Sequence, residues 1–176
     1  MILSPSQQEE LLAYTRAVIA SRFGAPEPDL RTDPVYEIKR GLFVSLHLQG
    51  NLRGCIGYVE GHASLRKSVR DLALAAAFRD PRFPPLRAAE LPELELEISV
   101  LGELIPISGP AEIQIGRDGL FIEHPRGSGL LLPQVATDWN WESAEFLRQV
   151  CRKAGLAKDA WQDQAATLYR FEAEVF

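Results

Sequence analysis

The apolar positions near the amino terminus recur with a helical period. Leu11, Leu12, Thr15, Val18 and Ile19 fall on one face while Glu9, Glu10 and Arg16 fall elsewhere, which predicts a helix from Pro5 to about Ser21. Ser4-Pro5-Ser6-Gln7 resembles a capping box with proline at the first helical position, where its missing N–H costs nothing. From Gly24 to Pro34 three prolines and several polar residues predict a surface connection. The period then changes. Phe43–Leu48 and Leu52–Val59, separated by Gln49-Gly50-Asn51, predict a β-hairpin. A helix follows from Ser64, carried by Leu65, Val69, Leu72, Ala73 and Ala76, and Asp80-Pro81-Arg82-Phe83-Pro84-Pro85 ends it. Leu94, Leu96, Ile98 and Val100 alternate with Glu95, Glu97 and Ser99, the pattern of a half-buried strand.

Beyond residue 110 the pattern predicts a second hairpin, Ile113–Ile115 and Leu120–Ile122 about a turn at Gly116-Arg117-Asp118-Gly119, and a short strand at Leu130–Leu132. Asn140 is read as the cap of a helix from Trp141 to Ala154, with Phe146, Leu147 and Val150 inward and Gly155 as the left-handed residue past its end. A strand from Thr167 to Val175 closes the chain. Hairpins and helices interspersed in this way, without strict βαβ alternation, predict an α+β fold of antiparallel sheets with packed helices. The order hairpin, helix, strand recurs loosely in both halves, so two sub-parts within one compact unit are compatible with residues 1–176 forming a single domain.

Composition narrows the function classes. A chain of 176 residues, 46% apolar and 24% charged, is long enough to bury a core without disulfides or a structural metal. Its net charge of -5 argues against a broadly electropositive nucleic-acid surface. No run of about 18 apolar residues occurs and the first residues lack a signal-like pattern, so a cytoplasmic protein without a membrane span is expected. Cys55 and Cys151 form no CxxC pair, and the spacing leaves a disulfide between them open. His47, His62 and His124 form no HxH or HExxH spacing, so no metal site is expected.

The chemistry-bearing candidate is Arg53-Gly54-Cys55-Ile56-Gly57. A guanidinium and a thiol two residues apart share one face of a strand, and Gly54 and Gly57 admit close approach by another backbone or a ligand. Arg53 there suits an anion and Cys55 suits a nucleophile; the same pattern also suits a small core cysteine beside a bulge. Two hairpin registers bear on this. A two-residue turn at Gln49-Gly50, the preferred register, sets Leu46 opposite Arg53 and Val44 opposite Cys55. A three-residue turn sets His47 opposite Arg53 and Ser45 opposite Cys55. Asp80 and Arg82 flank a proline on a stiff loop, Glu97 lies on the polar face of its strand, and Gln134 precedes the last long helix; each is a candidate ligand contact. Trp139, Trp141 and Trp161 suit base stacking, although helix packing accounts for them more simply.

Leu52-Arg53-Gly54-Cys55-Ile56-Gly57 resembles the signature hexapeptide of the AMMECR family, also called AmmeMemoRadiSam system protein A. Ala75-Ala76-Ala77-Phe78-Arg79-Asp80-Pro81-Arg82-Phe83, Glu97-Ile98-Ser99-Val100-Leu101, Leu130-Leu131-Leu132-Pro133-Gln134-Val135-Ala136 and Lys153-Ala154-Gly155-Leu156 resemble further blocks of that family, in its order. Asp138-Trp139-Asn140-Trp141 departs from the form expected before the last helix. The resemblance implies an α+β domain of two sub-parts with a cleft near the hexapeptide. It names no reaction and no cofactor, and implies intracellular proteins, suggested to regulate nucleic-acid or translation processes, that neighbour Memo-type and radical SAM proteins.

Three functional readings follow. One is a cleft for a small anionic ligand or substrate near the hexapeptide, with cysteine chemistry at Cys55. The second is a noncatalytic regulatory or adaptor module binding a protein through the hexapeptide and Asp80–Leu86. The third is nucleic-acid binding through Arg66, Lys67, Arg70, Arg79, Arg82 and Arg87, which the acidic overall charge disfavours.

Overall fold

The computed structural model describes residues 2–176. Ser4 opens helix α1 (Pro5–Ser21), with its backbone N–H donating to Gln7 Oε1 at 2.8 Å, and Leu11, Tyr14, Thr15, Val18 and Ile19 form the buried face. After a 3₁₀ turn at Pro34–Glu37 come strands β1 (Leu42–Leu48) and β2 (Asn51–Tyr58), then helix α2 (Leu65–Phe78) and strand β3 (Leu94–Leu101). Strand β8 (Ala173–Val175) returns at the end of the chain, where Ile98 and Phe176 exchange both backbone hydrogen bonds. The sheet order is β2-β1-β3-β8, with β2 at one edge. Leu42, Val44 and Leu46 on β1, Ile98 and Val100 on β3, and Leu65, Val69, Leu72 and Ala76 on α2 share one core, each of the larger side chains contributing roughly 2 kcal/mol by leaving water. This is the first of two compact units, Met1–Val100 with Glu174–Phe176.

The second unit, Leu101–Ala173, holds the sheet β4-β7-β5-β6. Its strands are β4 (Ile105–Ile107), β5 (Gly119–His124), β6 (Gly127–Leu131) and β7 (Thr167–Phe171). Helices α3 (Pro133–Asp138) and α4 (Ser143–Lys153) complete it, and Phe146, Leu147, Val150 and Cys151 bury against Leu120, Ile122 and Leu168. The fold is α+β with two antiparallel four-stranded sheets. No helix among the described residues is long and apolar enough to cross a membrane.

Three sequence expectations are corrected. Ile113–Ile115 is not a strand: β5 forms its hairpin with β6 instead. The turn expected at Gly116-Arg117-Asp118-Gly119 is present, with Gly116 at φ 84, and Asp118 in it is fully buried, accepting from Gln114 N at 2.8 Å and pairing with Arg117 and Arg170. Asn140 caps no helix; at φ 51 it is the left-handed residue that ends α3, and α4 starts after Glu142. The final strand is two strands, β7 and β8, in different sheets, parted at Glu172. Gly155, at φ 73, does end α4 as its sequence position predicts, with Leu156 N–H returning to Cys151 O at 2.9 Å.

Candidate functional site

The hexapeptide forms the core of edge strand β2, and its register combines the two hairpins read from the sequence. Gln49 and Gly50, at φ 51 and 75, make the two-residue turn, so Leu48 faces Asn51 and His47 faces Leu52. A bulge then leaves Arg53 unpaired, so that Leu46 faces Gly54 and Ser45 faces Cys55. The preferred register is thereby corrected at the cysteine: its neighbour is Ser45, not Val44. His47 lies opposite Leu52 and Glu95 and not opposite Arg53.

The bulge aims Arg53 into a clamp. Its Nε donates to Glu90 Oε1 at 2.9 Å and Nη2 to Glu90 Oε2 at 3.3 Å, while Nη1 and Nη2 reach the carbonyls of Pro84 and Pro85 at 2.9 and 3.3 Å. The two charged side chains are 12% and 14% exposed. Arg53 holds the Glu90 carboxyl below its ordinary range. A guanidinium whose three nitrogens all donate inward is a poor anion receptor, since an incoming anion must displace Glu90. The donors expected to hold an anion are engaged within the fold, where they fasten the proline-rich loop.

Asp80 and Arg82 fasten the same loop from its other end. As β2 is an edge, the Cys55 N–H and C=O point away from β1 and need partners. The buried Asp80 carboxylate accepts from Cys55 N at 2.9 Å, and Arg82 Nη2 donates to Cys55 O at 2.9 Å. Asp80 also accepts from Arg82 N, Nε and Nη2 at 3.1, 2.9 and 2.7 Å. The hydrogen-bonded Arg82 guanidinium holds the Asp80 carboxyl well below the usual carboxylate range. Asp80 in turn raises Arg82, which is 54% exposed. Both residues, read as candidate ligand contacts, bond the open edge of β2 at Cys55.

The glycines serve packing. A Cβ on Gly54 would lie 2.2 Å from Ala76 O of α2, and one on Gly57 2.2 Å from the Phe43 ring. The close neighbours are thus a helix backbone and a side chain of the protein itself.

What remains for chemistry is the sheet face opposite the helices. Residues directly paired across strands share a face, so Cys55 on β2, Ser45 on β1 and Glu97 on β3 form one row. The Ser45 hydroxyl donates to Cys55 Sγ at 3.2 Å. Cys55 and Glu97 are half-buried, and the Glu97 side chain has no hydrogen-bond or ion-pair partner among the described residues. Two positions along β3, on the same face, Ser99 is 1% exposed and its hydroxyl is the one buried side-chain polar atom without a partner among the described residues. Ser45, Ser99 and Glu90 were not among the sequence-derived site residues. Ser45 was visible only in the three-residue-turn register, and nothing in the sequence linked Glu90 to Arg53.

Gln134 lies half-buried in α3, within the second unit, and its side chain has no partner among the described residues. Both cysteines are free; burial pushes the Cys151 thiol up. No group of three or more His, Cys, Asp or Glu side chains among the described residues could hold a metal ion. Among the basic residues considered for nucleic acid, Arg66 is held by Glu37 and the carbonyls of Leu30 and Arg31, and Arg70 pairs with Glu27.

A protein-family model described as AMMECR1 matches residues 12–176, a segment that runs through both compact units. Relatives include a protein of Thermococcus gammatolerans, 47% identical over 160 residues, covering 85% of this chain and 78% of that one. Protein MJ0810 of Methanocaldococcus jannaschii is 41% identical over 172 residues, covering 93% and 86%. The crystal structure of the uncharacterized protein PH0010 from Pyrococcus horikoshii superposes with a TM-score of 0.88 at 37% identity, covering 99% of this chain and 93% of that one. The chain belongs to the AMMECR1 family.

Proposed function

We propose that this AMMECR1-family chain binds a small molecule on the sheet face at Cys55, with the thiol as the reactive contact and Glu97 as the group that orients the ligand. The observation that carries the reading is the row Cys55–Ser45–Glu97 beside the unpartnered Ser99 hydroxyl. A buried hydroxyl without a partner is costly, by about 1–3 kcal/mol, and a ligand group that completes its hydrogen bonding recovers that cost. Neighbouring strands lie about 4.8 Å apart, so Cys55 and Glu97, two strands apart, are separated by roughly 10 Å at the backbone, the span of a metabolite and not of a polymer.

The ligand class follows from the groups on that face. A free carboxylate, the unpartnered Ser99 hydroxyl and a thiol that accepts from Ser45 favour a molecule with hydrogen-bond donors or a cationic end towards Glu97 and a polarised carbon or sulfur towards Sγ. This replaces the anionic ligand inferred from Arg53, because that guanidinium is engaged by Glu90 and the loop carbonyls. The roles of Arg53, Gly54, Gly57, Asp80 and Arg82 are to hold Cys55 in place. Ligand-observed NMR of a soluble metabolite mixture tests the reading: at least one compound should be broadened by the wild-type chain and released by both Cys55→Ala and Glu97→Gln. A set of bound compounds unchanged by both substitutions would refute it.

A second reading, a noncatalytic module that docks a protein partner, is favoured by the same loop. Pro81, Arg82, Pro84 and Pro85 are exposed on a segment pinned by Arg53, so a partner would meet a surface that needs no further ordering. Capture of a partner that survives Cys55→Ala and is lost with Pro84→Gly, Pro85→Gly would support this reading over the first.

A further inference from the structure

The connection between α3 and α4 carries an aromatic group that packing does not explain. Trp141 lies against the second core, 6.5 Å from the Phe146 ring, and Trp161 is also partly buried there. Trp139 is different. It is 69% exposed, and one face of its indole stacks on Trp141, with ring centroids 6.0 Å apart and planes 18° from parallel. The other face is open, and so much indole in water is unfavourable unless something covers it.

The indole is also held in place. Asn140 at φ 51 sends its N–H to Thr137 O at 3.1 Å, and Trp141 N–H returns to Ala136 O at 2.8 Å, the paired bonds that close a helix end tightly. Trp139 stands at that end, so its backbone and one ring face are fixed before any partner arrives. On either side of it in the chain are Asp138 and Glu142, both exposed and both without a side-chain partner among the described residues. Arg148, the first cation of α4, is already taken by Glu145 at 3.0 Å.

A fixed, open indole with two exposed, unpaired carboxylates within three positions of it in the chain selects for a flat cation. A guanidinium meets both demands, stacking on the ring and donating in a fork to a carboxylate. We propose that Trp139, with Asp138 and Glu142, is a docking point for an arginine presented by a basic segment of a partner protein. Nucleic acid, which would also stack, is repelled by the two carboxylates and by the net charge of -5. The inference is independent of the Cys55 site.

The test is an NMR titration of the full chain with a blocked alanine pentapeptide carrying one central arginine, with the norleucine and lysine peptides and an oligothymidine as comparisons. The Trp139 indole N–H signal, assigned with Trp139→Phe, should move saturably with the arginine peptide, less with lysine and not with norleucine. Trp139→Ala should weaken binding, followed on the backbone amides of 138–142, about 3- to 30-fold, the range of a cation–π contact. Asp138→Asn with Glu142→Gln should weaken it by a similar factor. Because all three side chains are exposed, these variants should fold as the wild type does. An indole signal unmoved at about 10 mM arginine peptide, weaker than any useful docking contact, equal binding of the norleucine peptide, or stronger binding of oligothymidine would each overturn the proposal.

Discussion

Replacing Asp80 with alanine should destabilise the chain more than replacing its ion-pair partner Arg82. The carboxylate is nearly inaccessible, with its side chain 1% exposed, and accepts from the Cys55 amide, the Arg82 amide and the Arg82 guanidinium. Removing it strands a strand-edge N–H beside a buried void. A hydrogen bond to a charged group contributes roughly 1.5–3 kcal/mol and an orphaned donor costs a further 1–3. These overlap, so about 3 kcal/mol is expected, and a fall in Tm on the order of 10 °C. Asp80→Asn should be nearly as damaging, because donors approach both oxygens and an amide offers one. Arg82→Ala leaves the buried Asp80 carboxylate without its main partner and the Cys55 carbonyl without a donor, so it also destabilises, but water reaching the site of the 54% exposed arginine keeps the loss to roughly 1–2 kcal/mol.

The pH dependence gives the same test a sign. The folded Asp80 pKa lies below its unfolded value of about 3.9, so between the two the unfolded chain holds more protons. The stabilisation is complete above the unfolded pKa and drains away as pH falls towards the folded one. Urea unfolding at several pH values should therefore show the gap between wild type and Asp80→Ala constant from about pH 7 to 5 and narrowing below about pH 4. An Asp80→Ala chain melting within about 2 °C of wild type, far less than the predicted fall, or a gap that widens in acid, would refute the reasoning.

Other consequences follow from the same contacts. Gly54→Ala should cost roughly 3 kcal/mol in urea unfolding, because its Cβ meets the rigid Ala76 carbonyl, whereas Gly50→Ala, with open space around it but φ 75, should cost about 1–2 kcal/mol. Glu90→Gln should loosen the loop that Arg53 holds, read as faster proteolysis within 81–86 with less effect on Tm than Asp80→Ala. Ser99→Ala should be neutral or stabilising in the ligand-free chain, since it removes a buried hydroxyl that has no partner.

The elements legible in the sequence were those whose pattern is repeated within the element. α1, α2, β3 and the first hairpin each carry several apolar positions at one period. β4 was missed because three residues with a central proline on a sheet edge have no period, and α3 because six residues give less than two turns. β6 was read only at its end: Gly127 and Gly129 look like loop residues, yet both are small because Ala154 of the α4 terminus approaches within 2.3–2.7 Å of where a Cβ would be. At the hexapeptide, the contacts of Arg53 were not legible in the sequence, since a bulge and the carbonyls of a loop some thirty residues away decide where a guanidinium points. Ser45 became visible only with the cross-strand register.

Arg53, Asp80 and Arg82 are engaged in contacts within the fold, and Cys55 offers the accessible nucleophile of the hexapeptide. Mass spectrometry of the native chain after brief treatment with iodoacetamide tests that division directly. Cys55 is half-buried on the sheet face, while Cys151 is 0% exposed and its thiol is raised by burial. A single added group, on Cys55, is expected, with Cys151 reacting only after unfolding in urea; a native chain alkylated at Cys151 first, or at neither cysteine, would contradict the placement of Cys55 as the reactive contact.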